Sequence, residues 1–344
     1  MAPSSRFRLS YLKMPHPSKS AFHAFFFTFL LLAGLVFSGD TGGGGGLSYG
    51  FYDRTCPQLE HIVRAATETF FLSDPTTGAA LLRLLFHDCQ VRGCDASILI
   101  DDSGQPEILS GKNLGIQKRG VVNAIKSAVD AACPPQVVSC ADILVLAARD
   151  SVALYGGPVI EVPLGRRDSS EPPSFEMADS LLPPASTGVD QVLGLFAEKG
   201  FTVEESVAII GAHTIGATHC INVRRRLFDP EAQQGNEIPL DLRALLTLNC
   251  PLGSLTSNVS FVPNDWTSMT FDNRYYFNGG ATGVINIDAE MPLDPRTAGH
   301  VRRFAADQDA FFRAFSSAFV KLSSWEVLTG EKGVIRRNCN ALSS

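Results

Sequence analysis

Much of the chemistry this sequence offers is gathered in Leu81-Leu-Arg-Leu-Leu-Phe-His-Asp-Cys-Gln-Val-Arg-Gly-Cys-Asp-Ala-Ser97. If residues 76–88 are helical, Arg83 and His87 stand at i and i+4 on one face, with Phe86 beside them at i+3. A fixed cation, an imidazole that titrates near neutral pH and an aromatic wall then face one cavity. Asp88, turned about 100° from His87 by the helical period, points elsewhere, towards the oxygen donors Asp95 and Ser97. Cys89 and Cys94 bracket the turn between them. A second histidine, His213, follows the apolar run 207–212, where the small residues Gly211 and Ala212 leave room beside it. Such a histidine is most often a satisfied core residue. Its small neighbours and the following Thr214-Ile-Gly216 also suit an axial ligand approached closely by a flat cofactor.

The elements that must position these residues read as helices. From Gln58 onward apolar residues recur at three- and four-residue spacing, as at Ile62, Val63, Ala66 and Phe70, at Val121, Ala124, Ile125 and Ala128, and at Ala141, Leu144, Val145 and Ala148. The pattern returns over 189–197, 203–210, 242–248 and 309–322, where Phe311, Phe312, Phe315 and Phe319 form a stripe expected to be core. Strand signals are short, with 159–162 and 284–287 the candidates. The expected fold class is mainly α with minimal β. A polar, proline-bearing loop spans 161–186, a length that usually carries function or is pinned by neighbours.

The chain has 344 residues and 45% hydrophobic content, enough for a sizeable core. Residues 1–38 carry Arg6, Arg8, Lys13 and Lys19, no acid, and an apolar run over 21–37, which reads as a secretory signal peptide. A glycine-rich leader is expected over 39–46 and a folded domain over 47–342. Formal charge is −6 from 29 basic and 35 acidic residues, and loss of the four basic residues in 1–38 leaves 25 against 35, or −10. So acidic a domain repels nucleic acid and anionic surfaces. No later stretch is long enough to span a membrane. Eight cysteines in a secreted chain imply disulfides, although on the order of a hundred pairings are possible. Asn258-Val-Ser260 is a glycosylation acceptor that fits the same compartment.

Arg83-Leu-Leu-Phe-His-Asp-Cys89, Gly93-Cys-Asp-Ala-Ser97, Gly165-Arg-Arg-Asp168 and Gly211-Ala-His-Thr-Ile-Gly216 together resemble the class III secretory plant haem peroxidases, from about Leu47 to Asn340. The resemblance implies a two-lobed fold with one haem b between distal and proximal helices. It implies four disulfides: Cys56–Cys133, Cys89–Cys94, Cys140–Cys339 and Cys220–Cys250. The third closes the longest loop, of order 4–5 kcal/mol on the chain-entropy view. His213 would be the haem's axial ligand and Asp288 the carboxylate accepting its other ring N–H. His87 would act as base and then acid on hydrogen peroxide, Arg83 would stabilise developing charge, and Asn113 would orient His87. Phe86 would line the haem pocket, Pro183 would lie at the substrate edge, and small phenolic donors would be oxidised by one-electron steps. A monomer secreted to the apoplast or cell wall, with no stable membrane association, is expected; the vacuole is the lesser alternative.

Two calcium ions are implied as well. The distal one would use Asp88, the carbonyls of Val91 and Gly93, Asp95 and Ser97, with Glu107 acting through water. The proximal one would use Thr214, Thr267, the Thr270 carbonyl and Asp272. Here the chain departs from the family pattern of two aspartates eight residues apart, because Asn264 holds the usual position and Asp265 follows it; Asp265 is expected to be the ligand. Asp142 and Arg166 match a structural ion pair. Gln90, Ser186 and Asn222 stand where relatives often carry aromatic or apolar residues, so donor preference does not carry over. Two rivals remain: a zinc site at His87, Cys89 and Cys94, which disulfide pairing would abolish, and a catalytically weak peroxidase-like haem- or wall-binding protein. The second gives no reason to keep Arg83, His87, Asn113, His213 and Asp288 together.

Overall fold

The computed structural model describes residues 46–342 apart from 102–103, 105, 172–173, 230–237, 252–259 and 278–282. The expected signal peptide, nearly all of the glycine leader and the Asn258 acceptor lie outside the described residues. The helices are α1 (Leu59–Ser73), α2 (Thr76–Gln90), α3 (Arg119–Ala132), α4 (Cys140–Leu154), α5 (Phe175–Leu181), α6 (Val189–Ala197), α7 (Val203–Ile210), α8 (Cys220–Phe228), α9 (Leu240–Asn249), α10 (Asn286–Glu290), α11 (Ala298–Ala306) and α12 (Gln308–Ser323). None among the described residues is long and apolar enough to cross a membrane.

α4 is the axis of packing. Its residues 140–152 are buried without a break, and α1, α2 and α3 all lie against it. Ser139 caps it by accepting the Asp142 N–H at 3.1 Å. α12 packs on α7, and its Phe311, Phe315 and Phe319 are buried as the stripe requires, while Phe312 is only partly so. Phe271 joins them from a loop, stacked on Phe311 at 5.6 Å. A smaller core gathers Cys220, Val223, Leu227, Leu242, Leu246 and Val262.

Both strand expectations fail. Residues 159–162 join no ladder, and only an isolated bridge, Ser48–Leu164, forms just beyond them. Residues 284–287 lead into α10, because the Asp288 carboxylate accepts the Ile285 N–H at 3.3 Å and so caps a helix there. The actual ladder is antiparallel, β1 (Ala217–His219) against β2 (Phe261–Pro263), three residues each and too short to display alternation.

Disulfides join Cys56 to Cys133, Cys89 to Cys94, Cys140 to Cys339 and Cys220 to Cys250. The Asp142–Arg166 pair is wholly buried at 2.8 Å. Asp142 Oδ2 also accepts the Tyr52 hydroxyl and the N–H groups of Gly165 and Arg166, and Arg166 Nε donates to Ser323 O at the end of α12. Additional bonds of this kind offset the cost of burying an ion pair, although Arg166 Nη2 stays buried without a partner.

Candidate active site

On α2 nearly every residue from Leu81 to Gln90 is buried, and the exceptions are Arg83 and Phe86. With Ala79 they form a stripe at helical spacing, the face turned to a cleft. His87 lies at its edge. Its Nδ1 is 2.7 Å from Asn113 Oδ1, and the Asn113 amide N–H donates to Glu107 O at 2.8 Å. That second bond fixes the amide, so its oxygen faces the ring and Nδ1 must carry the proton. Nε2 is left as a lone pair, 3.3 Å from Arg83 Nε. Burial first, and Arg83 second, pull the His87 pKa down to about 3 against the opposing pull of Asn113. Arg83 Nη2 donates to Leu114 O at 3.1 Å and Lys112 O at 3.4 Å, so the Asn113 loop holds both groups. Phe86 stands edge-on to His87 at 5.8 Å and to Phe196 at 6.3 Å.

α7 begins with a capping box between Thr202 and Glu205 and stops at Ile210. His213 is carried by the 3-10 turn Gly211–Thr214 that follows, not by the helix itself. The space left by Gly211 is taken by the Tyr276 hydroxyl and Phe311, so it serves packing and is not room for a cofactor. His213 Nδ1 is 2.8 Å from Asp288 Oδ1. Burial disfavours its charge, but the Asp288 carboxylate outweighs that and raises its pKa. The side chain nonetheless keeps 34% of its surface accessible. Exposure at such depth is what a residue lining a cleft shows.

The two half-sites meet. Gly216 abuts Ala79 of α2, and the charge of Arg83 is felt by His87 and His213 alike. Each histidine has Nδ1 held by a side-chain oxygen, which leaves Nε2 as the nitrogen that can meet a ligand. That donor set fits a haem iron, which His213 would hold and near which His87 would serve as the base. Tyr275 is a residue the sequence reasoning missed: its hydroxyl donates to Asp288 Oδ1 at 2.7 Å and its ring stands edge-on to His213. It sits in the 3-10 turn Arg274–Tyr276, thirteen residues from Asp288, a spacing with no periodic signature.

Pro183, half-buried, follows α5 by two residues. Leu181 O accepts from Gln90 Nε2 at 3.1 Å, and Leu182 O accepts from Lys112 Nζ at 2.6 Å. Those ties join the proline segment to α2 and to the Asn113 loop. Asn222 and Ser186 are exposed.

Behind α2 the turn closed by Cys89–Cys94 collects oxygens. Arg92, Gly93 and Ala96 all have positive φ, 73°, 97° and 58°, and a side chain at Gly93 would strike the Glu326 carbonyl. Asp88 accepts Ala96 N–H at 2.9 Å and Ile98 N–H at 3.4 Å; Asp95 accepts Ser97 N–H at 3.0 Å. Burial, reinforced by Asp95, drives the Asp88 pKa up; burial and then Asp88 and Asp95 push Glu107 up to about 9. Both Glu107 oxygens and the Ser97 hydroxyl are buried without a partner. The Ser97 hydroxyl lies close enough to ease the Glu107 charge without completing a hydrogen bond. Orphaned hard oxygens among repelling carboxylates fit a divalent cation such as calcium. Among the described residues no cluster of His, Cys, Asp and Glu side chains could hold a metal alone, so carbonyls and the hydroxyl would have to contribute.

On the His213 side, Thr214 Oγ1 donates to Asp265 Oδ2 at 2.9 Å and lies 3.4 Å from Asp272 Oδ1. Thr267 approaches both carboxylates, with its N–H 2.8 Å from Asp265 Oδ1 and its hydroxyl 3.2 Å from Asp272 Oδ1. Thr270 N–H closes the turn on Thr267 O at 2.7 Å. Burial and then Asp272 lift the Asp265 pKa to about 6, against Thr214 and Thr267. Asn264 turns away: its oxygen accepts from Thr218 at 2.7 Å and its amide N–H donates to Ile215 O at 3.2 Å.

A family model described as Peroxidase matches residues 63–307. Peroxidase 29 of Arabidopsis thaliana is 55% identical over 302 residues, covering 86% of this chain and 88% of that protein. Peroxidase 12 of Arabidopsis thaliana is 40% identical, covering 86% and 82%, and Peroxidase 66 of Zea mays is 41% identical, covering 87% and 91%.

Proposed function

The chain belongs to the plant class III peroxidase family and is a haem peroxidase, and from that membership we propose how its own residues reduce hydrogen peroxide at the expense of small phenolic donors. The observation that carries the reading is the pair of histidines, each with Nδ1 held by a side-chain oxygen and both within electrostatic reach of Arg83. Haem b, when bound, supplies the iron at which peroxide is reduced and the ring edge from which electrons are exchanged with donors.

His213 would hold the iron, and Asp288 keeps its imidazole oriented with the proton on Nδ1. His87 Nε2 takes the proton from the near oxygen of peroxide and delivers it to the far oxygen, which leaves as water. By accepting Nδ1–H, Asn113 keeps Nε2 unprotonated, and Arg83 Nε, the donor to that lone pair at 3.3 Å, must yield it to peroxide. Arg83 stabilises the charge growing on the departing oxygen, a contribution of about 10²–10³ in rate for a preorganised donor. Two donors each give one electron and one proton, so one peroxide and two phenols yield two waters and two phenoxyl radicals. Pro183 borders the path by which they reach the haem edge.

Calcium at the turn of Asp88, Val91, Gly93, Asp95 and Ser97, with Glu107 behind it, fixes the C-terminal end of α2 and hence His87. A second calcium at Thr214, Asp265, Thr267, Thr270 and Asp272 steadies the residue next to His213; the convergence of Asp265 with both threonines supports it over Asn264. Secretion after removal of residues 1–38, glycosylation at Asn258 and a monomeric state complete the proposal, and the four disulfides fit an oxidising compartment.

The test is His87→Ala. The variant should still bind haem but lose roughly 10²–10⁴ in the rate of reaction with peroxide, followed by stopped-flow absorbance. An unchanged rate would refute the proton-transfer role.

A further inference from the structure

We propose that Tyr275 is a positioning residue that sets the donor strength of His213 through Asp288. The inference rests on His213 being the haem's axial ligand and adds a residue to that reading. One carboxylate oxygen carries it: Asp288 Oδ1 accepts His213 Nδ1–H at 2.8 Å and the Tyr275 hydroxyl at 2.7 Å, whereas Oδ2 accepts the Ile285 N–H at a longer 3.3 Å. An oxygen shared by two donors is a weaker base towards each. Tyr275 therefore leaves the His213 proton more firmly on Nδ1, and the imidazole keeps less anionic character with which to push electron density through Nε2.

The geometry gives Tyr275 this task and not its neighbour. Its ring stands edge-on to His213, 6.2 Å away at 81°. Tyr276 packs against it at 4.9 Å but sends its hydroxyl to Val207 O, 2.9 Å away. The 3-10 turn Arg274–Tyr276 that aims Tyr275 is anchored in turn by Asp272, whose Oδ1 accepts the Arg274 N–H at 2.8 Å.

Tyr275→Phe deletes one oxygen and keeps both rings. In the haem-loaded enzyme it should favour the ferric over the ferrous state by roughly tenfold, a fall in reduction potential of about 59 mV for a one-electron couple. Tyr276→Phe should leave the potential where it is. In an Asp288→Asn background the Tyr275→Phe change should add nothing, since its route is gone. Tyr275→3-fluorotyrosine, a stronger donor on nearly the same ring, should shift the potential the opposite way, and it keeps the test decisive if the phenylalanine variant fails to take up haem. Unchanged potential in haem-loaded Tyr275→Phe, an equal shift in Tyr276→Phe, or shifts of one sign in both Tyr275 variants would overturn the proposal. Wild-type protein that binds no haem would instead overturn the ligand reading beneath it.

Discussion

His87 is useful because its charged form is costly where it stands. Burial and Arg83 both oppose the imidazolium, and Asn113 only partly offsets them, which is why the pKa falls to about 3. The sign follows directly: a histidine whose folded pKa lies below the unfolded value of about 6.5 contributes stability above pH 6.5, lost as pH falls towards 3. The same shift keeps Nε2 available as a base through mildly acidic conditions. The rate of reaction with peroxide should therefore hold from neutral pH to about 4 and fall only near 3, as read by stopped-flow across buffers. A fall centred near 6.5 would show an unperturbed imidazole. At this scale Arg83, Phe86 and His87 were legible from helical spacing alone, because i, i+3 and i+4 share a face. Asn113 was legible only through the family motif. Its bond to His87 spans 26 residues, and no local rule connects them. Tyr275 was legible through neither.

α2 carries two sites back to back, a cleft-facing stripe ending at His87 and an oxygen-rich turn beginning at Asp88. Rotation by about 100° per residue separates them, and that much the sequence showed. It could not show that Glu107 is sealed in without a partner. With its pKa raised from about 4.5 to about 9, Glu107 contributes folded-state stability that is present below about pH 4.5 and is lost as pH rises through 9. A bound cation reverses that loss. The gap in melting temperature between calcium-saturated and chelated enzyme should thus be small near pH 4.5 and widen towards pH 9; a gap that narrows would count against the site. The proximal turn gives a companion expectation. Asp265→Asn should lower calcium content from about two to about one per chain by elemental analysis, while Asn264→Ala, which loses only bonds to Thr218 and Ile215, should keep both. The misread strands belong to this scale too. Short apolar runs do not distinguish strand from helix start, and a capping carboxylate at Asp288 decided the matter for 284–287.

Across the whole molecule, distant segments are fastened by a few buried, long-range connections. Cys140–Cys339 bridges 199 positions, and the Asp142–Arg166 pair binds α4, the Gly165 turn and the end of α12 into one buried knot. None of this is periodic, so composition could say only that disulfides form. Which cysteines meet, and that Arg166 is buried, came from the family motifs and the packing. The pieces converge on one claim, that the cleft between His87 and His213 holds a haem that works on peroxide. Its most direct measurement is the Soret absorbance of the purified, correctly disulfide-bonded protein, with oxidation of a simple phenol followed in the same sample with and without hydrogen peroxide. One haem per chain and strictly peroxide-dependent phenol oxidation are expected. Properly folded protein that takes up no haem, or haem-loaded protein that leaves the phenol untouched in the presence of peroxide, would contradict it.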